Sequence, residues 1–210
     1  MRGPAVFMSR GGALRPARTA ANLSPMGEPS FRLRLGHATV PARDLEAQVA
    51  FYTDVLGFHV TNRGEPVPGM GEMVFISQTP QEHHQIVLVH TPDPAPRGFM
   101  FADHLAFHVE SLEELREVAD RLVASGNTSG VPVSHGNAWS VYFTDPEGNG
   151  LECFVDTPFH VAQPYGDGLD LTKADSDIEA ETREKLSSKP EFQPFEEWRA
   201  SIAARLAGRG

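Results

Sequence analysis

Apolar residues along the chain recur in two rhythms, and the order of those rhythms is repeated. The stretch LRLGHATV, residues 33–40, has the apolar, turn-bounded character of a strand. Asp44 then stands as a helix N-cap, and Leu45, Val49, Phe51, Tyr52 and Leu56 fall on one helical face that stops at Gly57. The same succession returns later: a strand over 104–109, Ser111 and Glu114 in capping-box spacing, Leu115, Val118 and Leu122 on a face, and Gly126 as the stop. Short strand patterns follow each helix, at 58–61, 73–77 and 85–90 in the first half and at 131–134, 140–144 and 151–155 in the second. Each half therefore reads βαβββ.

The repeat has a measurable offset. From His37 to His104 is 67 residues, and the same step back from Glu152 lands on Gln85, in the last strand of the first half. One βαβββ unit leaves a sheet face unburied, so two copies are expected to pair their sheets around a shared concavity. The predicted fold is α+β, with two paired modules, 33–91 and 102–156, forming an open, barrel-like sheet within a domain spanning 31–156. Beyond it, TPFHVAQPYGDGLDL reads as loop, followed by helices over 175–186 and 195–206; this 157–210 tail reads as a lid or packing arm without chemistry of its own. Residues 1–30 hold four arginines and no acid before Glu28, the composition of a transit peptide, but Gly11, Gly12 and scattered prolines break any sustained amphipathic helix. They read as a disordered extension.

Composition narrows the partners. A chain of 210 residues, 40% hydrophobic and 22% charged, has room for one full core. Its formal net charge of −10 argues against nucleic acid and anionic membrane, both of which call for clustered cations, and leaves a small molecule as the expected partner. No apolar run reaches the roughly 20 residues that span a bilayer. The single Cys153 lies in an apolar run and cannot form an internal disulfide, which suits a buried structural thiol in a reducing, cytoplasmic setting.

Chemistry enters where the repeat places polar groups on strands. His37 and His104 occupy equivalent first strands, and Glu152 sits in a last strand inside LECF, where an uncompensated carboxylate is costly to bury. Two imidazoles and one carboxylate make up the facial triad of non-haem Fe(II) oxygenases, and the same set accepts Mn(II) or Zn(II). Each residue alone reads more simply as a hydrogen-bonded strand residue; the repeat is what groups them.

The hairpin HGNAWSVYFTDPEGNGLE adds a denser pattern. His135, five residues, Val141, Tyr142, two residues, Asp145, Pro146, one residue, Gly148, and then Glu152 satisfy every position of the extradiol fingerprint. Over residues 33–156 the chain resembles the vicinal oxygen chelate superfamily, and within it the type I extradiol ring-cleavage dioxygenases. The resemblance implies Fe(II), with Mn(II) as the alternative, held by His37, His104 and Glu152, and a small aromatic diol and O2 as substrates. It implies an acid/base role for His84, within the pair His83-His84, and substrate-holding roles for Tyr142 and His135. Phe107, Trp139 and the GEPVPGMGEM stretch are candidate pocket walls, and a homo-oligomer is expected. Glyoxalase-type isomerases and epimerases share the architecture and form the competing reading, with Gln85 as a conceivable fourth ligand; drug-binding members would lack the triad. Many extradiol enzymes carry two such domains, whereas this chain has room for one.

Overall fold

The computed structural model describes residues 35–65, 71–93 and 104–207. The 1–30 extension, the start of the 33–40 strand and residues 66–70 of the GEPVPGMGEM stretch lie outside that range.

Two modules of the same topology are present. In the first, strand β1 (Ala38–Ala42) leads into helix α1 (Leu45–Ala50), which widens into a π-helical turn over Phe51–Val55 before β2 (His59–Gly64), β3 (Met73–Ser77) and β4 (Ile86–His90). In the second, β5 (His104–His108), α2 (Leu112–Ala124), β6 (Val131–Ser134), β7 (Ala138–Thr144) and β8 (Gly150–Asp156) follow in the same order. The first sheet runs β1-β4-β3-β2 and the second, over these strands, β6-β7-β8-β5, with β1 parallel to β4 and β5 parallel to β8. The sheets remain separate, each leaving the module's first strand at an edge.

The helix boundaries follow from local chemistry. Asp44 Oδ1 accepts the Ala47 N–H at 3.0 Å, and Ser111 Oγ accepts that of Glu114 at 3.1 Å, so each helix starts on a side-chain cap. Both stops are glycines in the left-handed region, Gly57 at φ 76° and Gly126 at φ 81°, a conformation a side chain would strain. The π-turn lets the adjacent Phe51 and Tyr52 both enter the core. Phe51 meets Phe143 of β7 at 6.4 Å between ring centroids, and Phe58 meets Phe107 of β5 at 5.8 Å, so one apolar core runs through both modules. Leu115 and Leu122 of α2 are fully buried in it, each contributing about 2 kcal/mol.

A second tie between the modules is polar. The turn of DPEGN folds on Asp145, whose Oδ1 accepts the N–H groups of Glu147 and Asn149, both at 2.9 Å. Its Oδ2 reaches into the first module, accepting from Gln48 Nε2 at 2.8 Å and lying 3.4 Å from the Tyr52 hydroxyl. Glu147 Oε1 accepts the backbone N–H groups of Arg43 and Asp44, at 2.9 and 2.6 Å, at the start of α1. The turn is thus a latch as well as a hairpin joint.

The exact repeat expected from the sequence is slipped. Ala38 faces Ile86 in the first module, but its counterpart 67 residues on, Leu105, faces Leu151 and not Cys153. The second module's parallel pair is displaced by two residues, and because side chains alternate with period two, a slip of two keeps every side chain on its original face.

The tail's helices, α3 (Asp175–Leu186) and α4 (Phe195–Ala207), fall where the sequence predicts them, but the stretch read as loop is not all loop: it contains β9 (Phe159–His160) and β10 (Asp167–Gly168), and β11 (Gln193–Pro194) precedes α4. Strand β10 extends the second sheet beside β6, and β11 pairs with β9. Ile178 of α3 joins the main core, and Thr182 Oγ1 accepts the indole N–H of Trp139 at 3.0 Å. Trp139 is therefore a buried anchor for α3, not a wall of the cavity. No described helix is long and apolar enough to cross a membrane.

Candidate metal centre

Glu152 lies at the middle of β8, opposite Tyr142 of β7 on one side and Ala106 of β5 on the other. Alternation puts His104, two residues from Ala106, on the same face, and His104 Nε2 comes to 3.2 Å from Glu152 Oε2. The His104 and Tyr142 rings meet edge to face at 5.2 Å. Glu152 is only 7% exposed. Burial, together with the charge of Glu152 and a hydrogen bond to it, pushes the Tyr142 phenol above its ordinary range, so the hydroxyl keeps its hydrogen.

Beyond Tyr142 stands His135, with Nε2 2.9 Å from the phenol oxygen and Nδ1 2.9 Å from the Tyr165 carbonyl. On the first-module side, the rings of His37 and His84 lie 4.5 Å apart, and His84 packs edge-on against Phe75 of β3 at 5.1 Å. His83 and His84 share a hydrogen bond between their Nδ1 atoms at 2.9 Å. Burial, followed by the nearby His37 and His83, holds the His84 imidazole below its ordinary value, with Glu82 opposing.

His37 of one group and His104 of the other line one space. A cavity of about 700 Å³ is lined by His37, Glu82 and Gln85 from the first module and His104, Phe107 and His108 from the second. The sequence-predicted residues thus fall into two clusters, His104, Glu152, Tyr142 and His135 in one and His37 with His84 in the other. His37 is exposed, one residue before β1, and among the described residues no three His, Cys, Asp or Glu side chains stand ready-made around a common metal position.

The donor chemistry fits a divalent cation. A carboxylate that is buried between an imidazole and a phenol has its charge uncompensated by a lysine or arginine in these contacts, and a cation would supply that compensation. Nitrogen and carboxylate donors are those that Fe(II) and Mn(II) accept. Gln85 is differently engaged: its Oε1 accepts the Gln78 N–H at 2.8 Å and so closes the turn before β4.

Three contributors to the site escaped the sequence reading: the Tyr165 carbonyl, the Gln163 amide that donates to the His135 carbonyl at 2.8 Å, and Phe75. A backbone carbonyl leaves no residue signature, and Phe75 read only as one apolar strand position. The cis Gln163–Pro164 bond belongs to the same loop.

The fold and site define a member of a known class. Residues 34–153, more than half of the chain, match the Glyoxalase/Bleomycin resistance protein/Dioxygenase superfamily, and the chain belongs to it. Among curated relatives, biphenyl-2,3-diol 1,2-dioxygenase 3 of Rhodococcus globerulus is 33% identical over 130 residues, covering 59% of this chain and 63% of that protein. Catechol-2,3-dioxygenase of Bacillus subtilis (strain 168) is 28% identical over 130 residues, covering 59% of this chain and 42% of that protein. The matched region thus spans less than two thirds of either relative. A glyoxylase/bleomycin resistance protein/dioxygenase domain from Frankia sp. EAN1pec shares the fold at a TM-score of 0.52 and 23% identity, over 62% of this chain and 96% of that one.

Proposed function

We propose that the protein is an extradiol ring-cleavage dioxygenase that opens a catechol-type diol with O2, using Fe(II), or Mn(II) in its place, held by His37, His104 and Glu152. The observation that carries this reading is the pairing of Glu152 with Tyr142 across β7 and β8, with His104 at 3.2 Å from the carboxylate and His135 at 2.9 Å from the phenol. The names of the curated relatives support the same chemistry.

The metal would supply Lewis acidity toward the diol oxygens and a common template for diol and O2. The protein's own groups do the rest. Tyr142 keeps its hydrogen and binds a diol oxygen, and His135 supports it from behind. His84, whose imidazole is held toward its neutral form, accepts at a ring nitrogen a proton released by the diol and returns it to an O2-derived oxygen as the ring opens, with every oxygen kept in the product. Phe75 packs edge-on against His84 and holds the half-buried ring in place for that exchange. The product would be a yellow ring-opened semialdehyde or keto acid, cleaved beside the hydroxyls rather than between them. A reducing, cytoplasmic setting suits both Fe(II) and the free, buried Cys153.

The isomerase alternative would draw a fourth ligand from the first module. The engagement of Gln85 Oε1 with the Gln78 N–H opposes it. Anaerobic loading with Fe(II) followed by aerobic addition of catechol, 3-methylcatechol and 2,3-dihydroxybiphenyl tests the proposal. Oxygen uptake with a yellow product is expected; no uptake with any of the three would overturn it and favour the isomerase.

A further inference from the structure

We infer that Phe154 and His108, beyond Glu152 on the same face of the second sheet, form a subsite for the ring substituent of the diol, and that this subsite takes a neutral, apolar group of about ring size rather than a carboxylate. The inference rests on the reading of Glu152 and His104 as the place where the diol is held, and it narrows the diol within that class.

Register sets the positions. Glu152 faces Ala106 of β5 and, two residues on, Phe154 faces His108. Strand side chains alternate, so Glu152, Phe154 and Asp156 share one face of β8, as His104, Ala106 and His108 share one face of β5. The rings of Phe154 and His108 meet edge to face at 5.0 Å. They stand about 7 Å along the strands from Glu152 and Ala106, roughly the width of a second ring beyond a diol held at the carboxylate. Both are open to a ligand, Phe154 being half-buried and His108 exposed. The cavity of about 700 Å³ follows β5 over its whole length, from His104 to His108, and Phe58, Ile86, Leu105 and Phe107 give it an apolar wall. A lone catechol ring would leave most of that space unfilled.

The charges around the subsite turn an anion away. Among the described residues that line the cavity, none is lysine or arginine, and Glu82 is an acid. Behind His108, Asp156 Oδ2 lies 3.4 Å from its Nε2 and accepts from Arg199 Nη2 of α4, while Arg199 Nη1 is 3.1 Å from Glu196 Oε1. The guanidinium at this end is thus already shared by two carboxylates. The helix that carries it is well anchored: the Phe195 N–H donates to the Pro158 carbonyl at 3.0 Å, Trp198 stacks on His160 at 4.8 Å and on Phe195 at 5.4 Å, and Arg199 lies over the Phe195 ring at 4.5 Å. Through Asp156 the tail therefore backs the far wall of the cavity, and Arg199 is a positioning residue for His108. A flat apolar group packs well against an imidazole and a phenyl ring, whereas a carboxylate there would meet Asp156 and Glu82.

The test has a kinetic arm and one that needs no turnover. In the Fe(II)-loaded enzyme, kcat/KM is compared for catechol, 2,3-dihydroxybiphenyl and 2,3-dihydroxybenzoate; the biphenyl is expected to exceed catechol at least about tenfold, and the benzoate to fall below catechol. Phe154→Ala and His108→Ala are each expected to lower the ratio of biphenyl to catechol about tenfold, and Arg199→Leu to lower it about threefold, with Arg199→Lys restoring it. In the second arm, the full chain labelled with 13C-histidine is titrated with 2-hydroxybiphenyl, a probe with only one hydroxyl. The His108 resonances, assigned by their loss in His108→Ala, are expected to shift, and to stay in place with phenol at the same concentration. Equal kcat/KM for the three diols, a preference for the benzoate, a ratio unmoved in both the Phe154 and the His108 variant, or a His108 signal indifferent to 2-hydroxybiphenyl would overturn the inference. If the variants do not fold, the parent ranking and the parent titration decide. If the parent opens no catechol, the proposed reaction fails, and the His108 titration separately decides whether the subsite exists.

Discussion

Cys153 follows Glu152 in the chain but points to the opposite face of β8, into the core. Burial, reinforced by the charge of Glu152, raises its thiol from the ordinary 9.0 to about 12. Native protein at pH 8 is therefore expected to resist alkylation by iodoacetamide, with stoichiometric labelling after denaturation, both read by mass spectrometry. The sign of the linkage follows: between about pH 9 and 12 the unfolded chain releases this proton while the native one holds it, so stability falls with rising pH by about 1.4 kcal/mol per unit from this group. Urea titrations across that range should show a shallower loss in Cys153→Ala. On the other face, Glu152→Gln keeps shape and hydrogen bonding but removes the charge, and Fe(II) affinity by calorimetry is expected to fall more than about tenfold. At this scale the sequence was legible wherever side-chain identity carries the chemistry. The spacing from His135 to Glu152 could be read through its resemblance to the extradiol fingerprint, and the fold sets Tyr142 opposite Glu152 and beside His135. What the Tyr165 carbonyl does could not be, since every residue has one.

Among the elements, the turn between β7 and β8 and the turn after β6 carry the clearest consequences. Replacing Glu147 with alanine removes the acceptor of two N–H groups at the start of α1, and a loss of about 1–2 kcal/mol in thermal or urea unfolding is expected. Gly136→Ala should cost more, about 2–4 kcal/mol, because it combines a left-handed backbone with a close approach to Val161. Most main strands and helices were readable from period, caps and glycine stops. The strands β9, β10 and β11 were not, because each holds two residues and two residues have no period; only tertiary packing defines them.

Across the whole molecule, pairing of the modules was predictable from the unburied sheet face of each repeat, whereas its polar latch and the two-residue slip were not. The slip leaves no trace in an apolar pattern of period two. The contact between Asp145 and Gln48, 97 residues apart, offers a direct measure of how strongly the halves act together. A double-mutant cycle with Asp145→Ala and Gln48→Ala is expected to give a coupling of about 1 kcal/mol or more, and urea should unfold the parent in one transition by fluorescence and circular dichroism alike. Two separable transitions would show that the modules are independent.

The bonds from Glu147 to the residues leading into α1 also have a consequence in time. Six α-helical residues cannot persist alone in water, and Arg43 and Asp44, which lead into this helix, find the acceptor for their N–H groups in a residue more than 100 positions later. During synthesis the first module leaves the ribosome with that end open, and it closes only after the β7–β8 hairpin has emerged and folded back. The long-range closure makes the last strands of the domain the gate for its first helix, a high-contact-order arrangement that favours late, concerted assembly over module-by-module folding.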